Sequence, residues 1–197
     1  FMRHEAADIA WHTRHVSRFM AEAQLKAQTP QTLVRARMSP WEEGLEVMVY
    51  TPDQSDLFAR ICGYFDQAGF SILDARIHTA RNGYALDTFQ LIAPNLSEHY
   101  RELITMIETG LTRTLQQAGP LPPPSRGRVS RRVKSFPVTP RVSLQPDEKA
   151  QHWLLSVSAS DRTGLLYSIA QVLARNHINL QLAKISTLGE RVEDTFL

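Results

Sequence analysis

The chain has 197 residues, of which 43% are hydrophobic and 21% charged, and a net charge of +2. That length carries one or two domains with real cores, and the charge balance argues neither for nor against a nucleic-acid partner. The single cysteine, Cys62, excludes an internal disulfide and a zinc knuckle; no apolar run reaches membrane-spanning length and no signal peptide is visible, so a soluble cytoplasmic protein is expected.

The chain opens in helical periodicity, with Ile9, Thr13, Val16 and Met20 at helical spacing. His12 and His15 lie three apart among them, but no carboxylate-plus-histidine set accompanies them, and a metal role is disfavoured. This stretch reads as the tail of a preceding domain. Residues 32–37 read as a connector or edge strand. A strand follows over 45–51 with Val47 and Val49 inward, then a helix over 55–68 that holds Cys62 and is ended by Gly69. Residues 70–80 and 84–92 form a hairpin turned at Arg81-Asn82-Gly83, since Asn-Gly is the strongest short hairpin signal. A helix over 98–117 carries Leu103, Ile107, Leu111 and Leu115 on one face. It ends in a proline-rich run, 119–124, and a basic stretch, 125–134, that is expected to be solvated. Residues 135–144 regain strand character and are expected to close the first sheet. From Trp153 an apolar run leads to Asp161-Arg162-Thr163-Gly164, then to a helix with Leu165, Ile169, Val172 and Leu173 on one face, and a second strand begins at Ile178.

The second half repeats the first. Asp53 matches Asp161 at an offset of 108, and the match holds through Ala75/Ala183, Ile77/Ile185 and Thr79/Thr187. One residue is then lost, and Asp87-Thr88-Phe89 returns as Asp194-Thr195-Phe196 at an offset of 107. A single deletion at a hairpin tip is the length change a repeat tolerates best, so the chain is read as a duplication. The order β-α-β-β-α-β predicts an α+β fold of two ferredoxin-like sandwiches, each a four-stranded antiparallel sheet with two helices on one face. The first core is expected to hold Val47, Val49, Leu57, Ile61, Phe65, Ile77 and Phe89, and the second Leu155, Val157, Leu165, Ile169, Leu173, Ile185 and Phe196. The division is 1–40 (tail and linker), 41–146 (first unit) and 147–197 (second unit, incomplete). The second unit stops in its third strand, which leaves an apolar face without its helix; a homo-oligomer formed through this unit is therefore expected.

The strand–turn–helix at Asp161 leaves free N–H groups at the helix start, which suit a small anion such as an amino-acid carboxylate. Asp161 beside them either holds an ammonium group or simply caps the helix. In the first copy Asp56 stands where Gly164 stands in the second, and a negative side chain there weakens carboxylate binding.

Asp161-Arg162-Thr163-Gly164-Leu165-Leu166 at the turn and Ile178-Asn179-Leu180 at the next strand resemble ACT domains, the small-ligand sensors of amino-acid metabolism. Tandem copies, the run from Gly189 to Phe196 and the upstream Ile9-Ala10-Trp11-His12-Thr13-Arg14 are similar to the ACT-bearing enzymes of bacterial nitrogen control. The resemblance implies tandem ACT domains, the first tail belonging to an HD-type hydrolase domain. It implies glutamine as the ligand, a PII signal protein as the partner that gains or loses UMP, and use of Mg and UTP by upstream domains. It implies ligand-binding roles for Asp161, Arg162, Gly164, Leu165, Leu166 and Asn179, and a second site at Asp53 and Ser71. No catalytic or metal residue is carried over, and no cofactor is expected in this chain.

Three other readings compete. The chain lacks a nucleophile–base set, a phosphate loop and a metal cluster, so it is not expected to be catalytic itself. RNA-recognition domains share the element order, and the run from Gly83 to Phe89 echoes one of their motifs; the anionic Asp87, and the absence of a counterpart to the Gly83-Tyr84 pair in the second copy, count against nucleic acid. An ACT pair that only mediates assembly, or senses another amino acid, is the main alternative.

Overall fold

A computed structural model describes residues 6–26, 31–40, 44–54, 56–92, 96–117, 119–125, 138–149, 151–188 and 191–197. The basic stretch lies outside the described residues from 126 to 134, as do Gly189 and Glu190. The elements in order are α1 (Ala6–Leu25), β1 (Leu33–Met38), β2 (Leu45–Pro52), α2 (Leu57–Gln67), β3 (Ser71–Arg76), β4 (Tyr84–Ile92), α3 (Leu96–Gln116), β5 (Arg141–Pro146), β6 (Trp153–Ser160), α4 (Leu165–Arg175), β7 (Ala183–Lys184), β8 (Thr187–Leu188) and β9 (Arg191–Phe196). Every strand pairing is antiparallel. The sheet runs β1-β2-β4-β3-β7-β9-β6-β5, with β8 beside β9.

The pairing registers repeat as the sequence does. Leu33 faces Tyr50, and 108 residues later Arg141 faces Ser158. Ala75 faces Phe89; Ala183, 108 on, faces Phe196, 107 on. The lost residue therefore falls between the third and fourth strands of the second copy, and the pairing on either side keeps its register. Where the copies meet, Arg76 pairs with Lys184, its own repeat equivalent. The junction thus has a local two-fold axis, and the two sheets join edge to edge into one. Across it α2 packs on α4.

The expected closing strand is corrected. Residues 141–146 pair with β6, in the second copy, and not with the first. The edge beside β2 is already taken by β1, the stretch read as a connector or edge strand. Both copies therefore begin with their edge strand, and the boundary between them falls before β5. The edge of β1 is protected by α3, whose Glu108 Oε1 accepts the Ala36 N–H at 2.9 Å.

The first expected core is fully buried, and it is continuous with the second: Val47, Phe65 and Phe89 share one cluster with Leu173, Ile185 and Phe196. Leu155, Val157 and Ile169 are only partly buried. Their counterparts Val47, Val49 and Ile61 share a buried cluster with Ile107 and Leu111 of α3, and no equivalent helix lies over the second copy among the described residues. On the same unit Val142, Leu144 and Trp153 are 68%, 61% and 62% exposed.

The outer faces differ for a reason visible in the residues. In the first copy Leu33, Met48 and Tyr50 form an apolar patch covered by Trp11, Val16 and Phe19 of α1. The buried stripe of α1 includes Asp8 and His12, while Ile9 is exposed. Arg37 fastens the helix. It pairs with Asp8 at 2.7 Å and with Glu46, and stacks 4.1 Å over the Trp11 ring. At the matching second-copy positions stand Arg141, Ser156 and Ser158, with Arg191 donating to Ser158 Oγ at 3.2 Å. That face is polar and has no use for a covering helix.

Candidate functional site

Two cavities flank the junction, one on each side of its two-fold axis. Each is built from the strand–turn–helix of one copy and the start of the third strand of the other. The larger, about 440 Å³, takes Asp53, Gln54 and the first turn of α2 from the first copy, and the segment Ile178, Asn179, Leu180 and Gln181 from the second. The smaller, about 240 Å³, takes the turn from Asp161 through Tyr167 and meets Ser71 of the first copy.

The sequence-predicted residues are therefore redistributed. Asp161, Arg162, Gly164, Leu165 and Leu166 lie together in the smaller cavity. Asn179 lies in the other, opposite Asp53. Ser71 faces Asp161. Pairing within one copy, Asp161 with Asn179, is not what the junction brings together; the exchange follows from β3 pairing with β7.

Neither turn aspartate caps its helix. The residue before α4 is Gly164, at φ +75°, with no side-chain cap hydrogen bond; the one before α2 is Asp56, also without one. Asp53 instead accepts the Thr79 hydroxyl at 3.1 Å. Burial pushes the Asp161 carboxyl up, opposed by the backbone N–H of Arg162. Of the two roles left open for Asp161, capping is thus not the one seen. Asp56 is held at 2.7 Å by Arg60, which offsets its charge at the start of α2.

A strap formed by residues 119–125 distinguishes the cavities. It leaves α3 and crosses both junction helices. Arg60 donates to Gly119 O at 2.9 Å, and Gln67 to Pro123 O at 3.1 Å. From α4, both the Tyr167 hydroxyl and Gln171 Nε2 donate to Pro122 O. Asp66 Oδ2 accepts the Ser125 N–H at 2.7 Å. The strap ends beside the smaller cavity, where a Cβ on Gly164 would lie 2.7 Å from Ser125 O. Glycine there serves both the left-handed backbone and the close passage of the strap.

Sequence reasoning missed Asp87 and Asp194. They occupy one repeat position, are buried, and line the larger and smaller cavity respectively. Burial pushes Asp87 up to about 8, helped by the nearby Asp53 charge and opposed by the His78 N–H. Burial likewise pushes Asp194 up to about 6, with Asp161 adding to the rise and the Ser186 N–H opposing it. The repeated Asp-Thr-Phe was the available signal, because a polar residue kept amid an apolar strand in both copies marks a buried polar position.

The described residues contain no group of three or more histidine, cysteine or acidic side chains arranged for a metal. No described helix is long and apolar enough to cross a membrane.

The molecule is a duplicated α+β module whose copies share one antiparallel sheet and enclose a cavity on each side of their junction. Along its whole length the chain is homologous to a segment of bifunctional uridylyltransferase/uridylyl-removing enzymes. It is 54% identical over 200 residues to that of Cupriavidus pinatubonensis, 55% over 201 to that of Ralstonia nicotianae and 53% over 197 to that of Aromatoleum aromaticum. Each match covers the entire chain, which spans 22% of the length of these relatives. No family model and no solved structure matches it.

Proposed function

We propose that the chain is the glutamine-sensing segment, a tandem pair of ACT domains, of a bifunctional enzyme that adds UMP to a PII signal protein and removes it. The observation that carries this reading is the similarity, over every residue, to uridylyltransferase/uridylyl-removing enzymes. The chemistry of those activities, with Mg and UTP, belongs to parts of the parent outside this chain, and this segment acts in the cytoplasm as a regulator.

The two junction cavities suit a free amino acid. In the smaller, the N–H groups of Gly164 and Leu166 take the α-carboxylate, with Leu165, whose own N–H donates to Arg162 O, lining the wall; Asp161 takes the α-ammonium, Arg162 stands at the mouth, and Ser71 reaches from the facing copy. In the larger, Asp53 and Asn179 hold the matching positions. A ligand between the copies binds both, so its presence bears on how they are held together.

Calorimetric titration with glutamine, then glutamate, tests the reading. Glutamine is expected to bind and glutamate to bind more weakly. A charge-assisted hydrogen bond contributes about 1.5–3 kcal/mol, so Asp161→Asn is expected to weaken glutamine binding by about one to two decades, at roughly 1.4 kcal/mol per decade, without loss of folding stability. Absence of glutamine binding refutes the sensor; unchanged binding in Asp161→Asn refutes the site. The exposed Val142, Leu144 and Trp153 face supports a second role, association between copies through the second unit.

A further inference from the structure

Asp87 stands in the wall of the larger cavity, at the middle of β4, and is 1% exposed. Its Oδ1 accepts the His78 N–H at 3.2 Å. Its Oδ2 is buried with no hydrogen-bond partner among the described residues. Folded proteins rarely leave a buried polar atom unpaired without a reason. With the carboxyl pushed up to about 8, the group is a neutral acid at neutral pH. Oδ1 is engaged as an acceptor, so the proton lies on Oδ2 and makes it a donor.

The surroundings of Asp87 fix what that donor can meet. The titratable groups facing it are Asp53 from the turn, His78 after β3, and Cys62 from α2. From α4 come Ala170, Leu173 and Ala174, and from the facing copy the neutral Asn179 and Gln181. Among the described residues no lysine or arginine lines the cavity. An anionic side chain buried here would meet the Asp53 charge with no cation to offset it. The first-turn N–H groups at Phe58 and Ala59 remain for an α-carboxylate, as at any helix start.

We propose that Asp87 is a specificity-determining residue of the larger cavity: as a carboxylic acid it donates its Oδ2–H to a neutral side-chain carbonyl of an amino-acid ligand whose ammonium group lies on Asp53. This rests on the sensor reading above and adds which group recognises the ligand's side-chain carbonyl. Above pH 8 Asp87 loses its proton, the donor becomes an anion, and the ligand carbonyl is repelled.

The test is calorimetry of the protein with L-glutamine and L-glutamate between pH 6.5 and 9.5, beside Asp87→Asn and Asp87→Leu. The asparagine amide donates in the same place without titrating, so at pH 7 its glutamine affinity is expected within about threefold of the parent. Above pH 8 the parent is expected to lose affinity relative to Asp87→Asn, approaching about tenfold per pH unit; loss of the ligand's own ammonium proton is common to both and cancels. Asp87→Leu removes the unpaired oxygen and is expected to fold, as checked by thermal melting. It should weaken glutamine about fivefold, while the preference over glutamate, which rests on the Asp53 charge and the absence of a cation, persists. If the parent binds glutamine but both variants match its affinity and pH profile, Asp87 is a core residue and the inference fails alone. If the parent binds no glutamine, the sensor reading fails and this inference falls with it.

Discussion

Gly63→Ala tests the packing that holds the two copies together. Gly63 lies within α2, where replacing glycine with alanine ordinarily stabilises a helix by about 0.8–1 kcal/mol. Here a Cβ would lie 2.8 Å from Tyr167 Cζ, 2.9 Å from Cε2 and 3.1 Å from the hydroxyl. The Tyr167 ring, 1% exposed, has nowhere to retreat, and its hydroxyl is bound to Pro122 O of the strap. Overpacking of this kind costs about 1–3 kcal/mol, and losing the hydroxyl's bond about 1 kcal/mol more. The cost outweighs the helix gain, and a net destabilisation of about 1–3 kcal/mol is expected by urea unfolding. In a Tyr167→Leu background the obstacle is gone, so the same substitution should become stabilising by about 1 kcal/mol. If Gly63→Ala stabilises the parent by the full helix increment, α2 and α4 do not meet through this contact, and the junction described above is wrong.

Arg37→Met leaves the buried carboxylates of Asp8 and Glu46 facing each other without their cation; a loss of about 3–5 kcal/mol and faster proteolysis within α1 are expected, and unchanged protection would refute the anchoring role. Asp194 has a raised folded-state pKa, so the folded protein binds its proton more tightly than the unfolded chain does. Its contribution is greatest below about pH 4 and is lost as pH rises to about 6, at about 1.4 kcal/mol per pH unit. The stability of the parent relative to Asp194→Asn should therefore fall by about 3 kcal/mol across that interval; a flat or rising difference would refute the burial argument.

The duplication was legible because two copies of one pattern carry their own check: the offset of 108, and the single lost residue, return as pairing registers. The first core followed from the same periodicity. That residues 141–146 repeat the edge strand read at 32–37 was missed because Leu33–Met38 and Arg141–Pro146 share little beyond Val34 and Val142, and a strand after a helix fits the closing position of this fold as well as one that precedes the unit. Only the finite space beside β2 decides between them. The exchange of Asn179 and Ser71 between cavities was not legible for a different reason. It depends on which edges of two folded units meet, and no local spacing encodes that. Asp87 and Asp194 were present as alignment landmarks, but their depth, which gives them their chemistry, is a tertiary property.

The seam between the copies is narrow. Within the shared sheet, β3 and β7 meet through one bridged residue pair, Arg76 with Lys184, whereas β2 and β4 meet along eight. The seam is therefore held less by the sheet than by α2 packed on α4 and by the core that runs across it. The strap, tied to α2 through Arg60 and Gln67 and to α4 through Tyr167 and Gln171, bridges the copies a second time, away from that line.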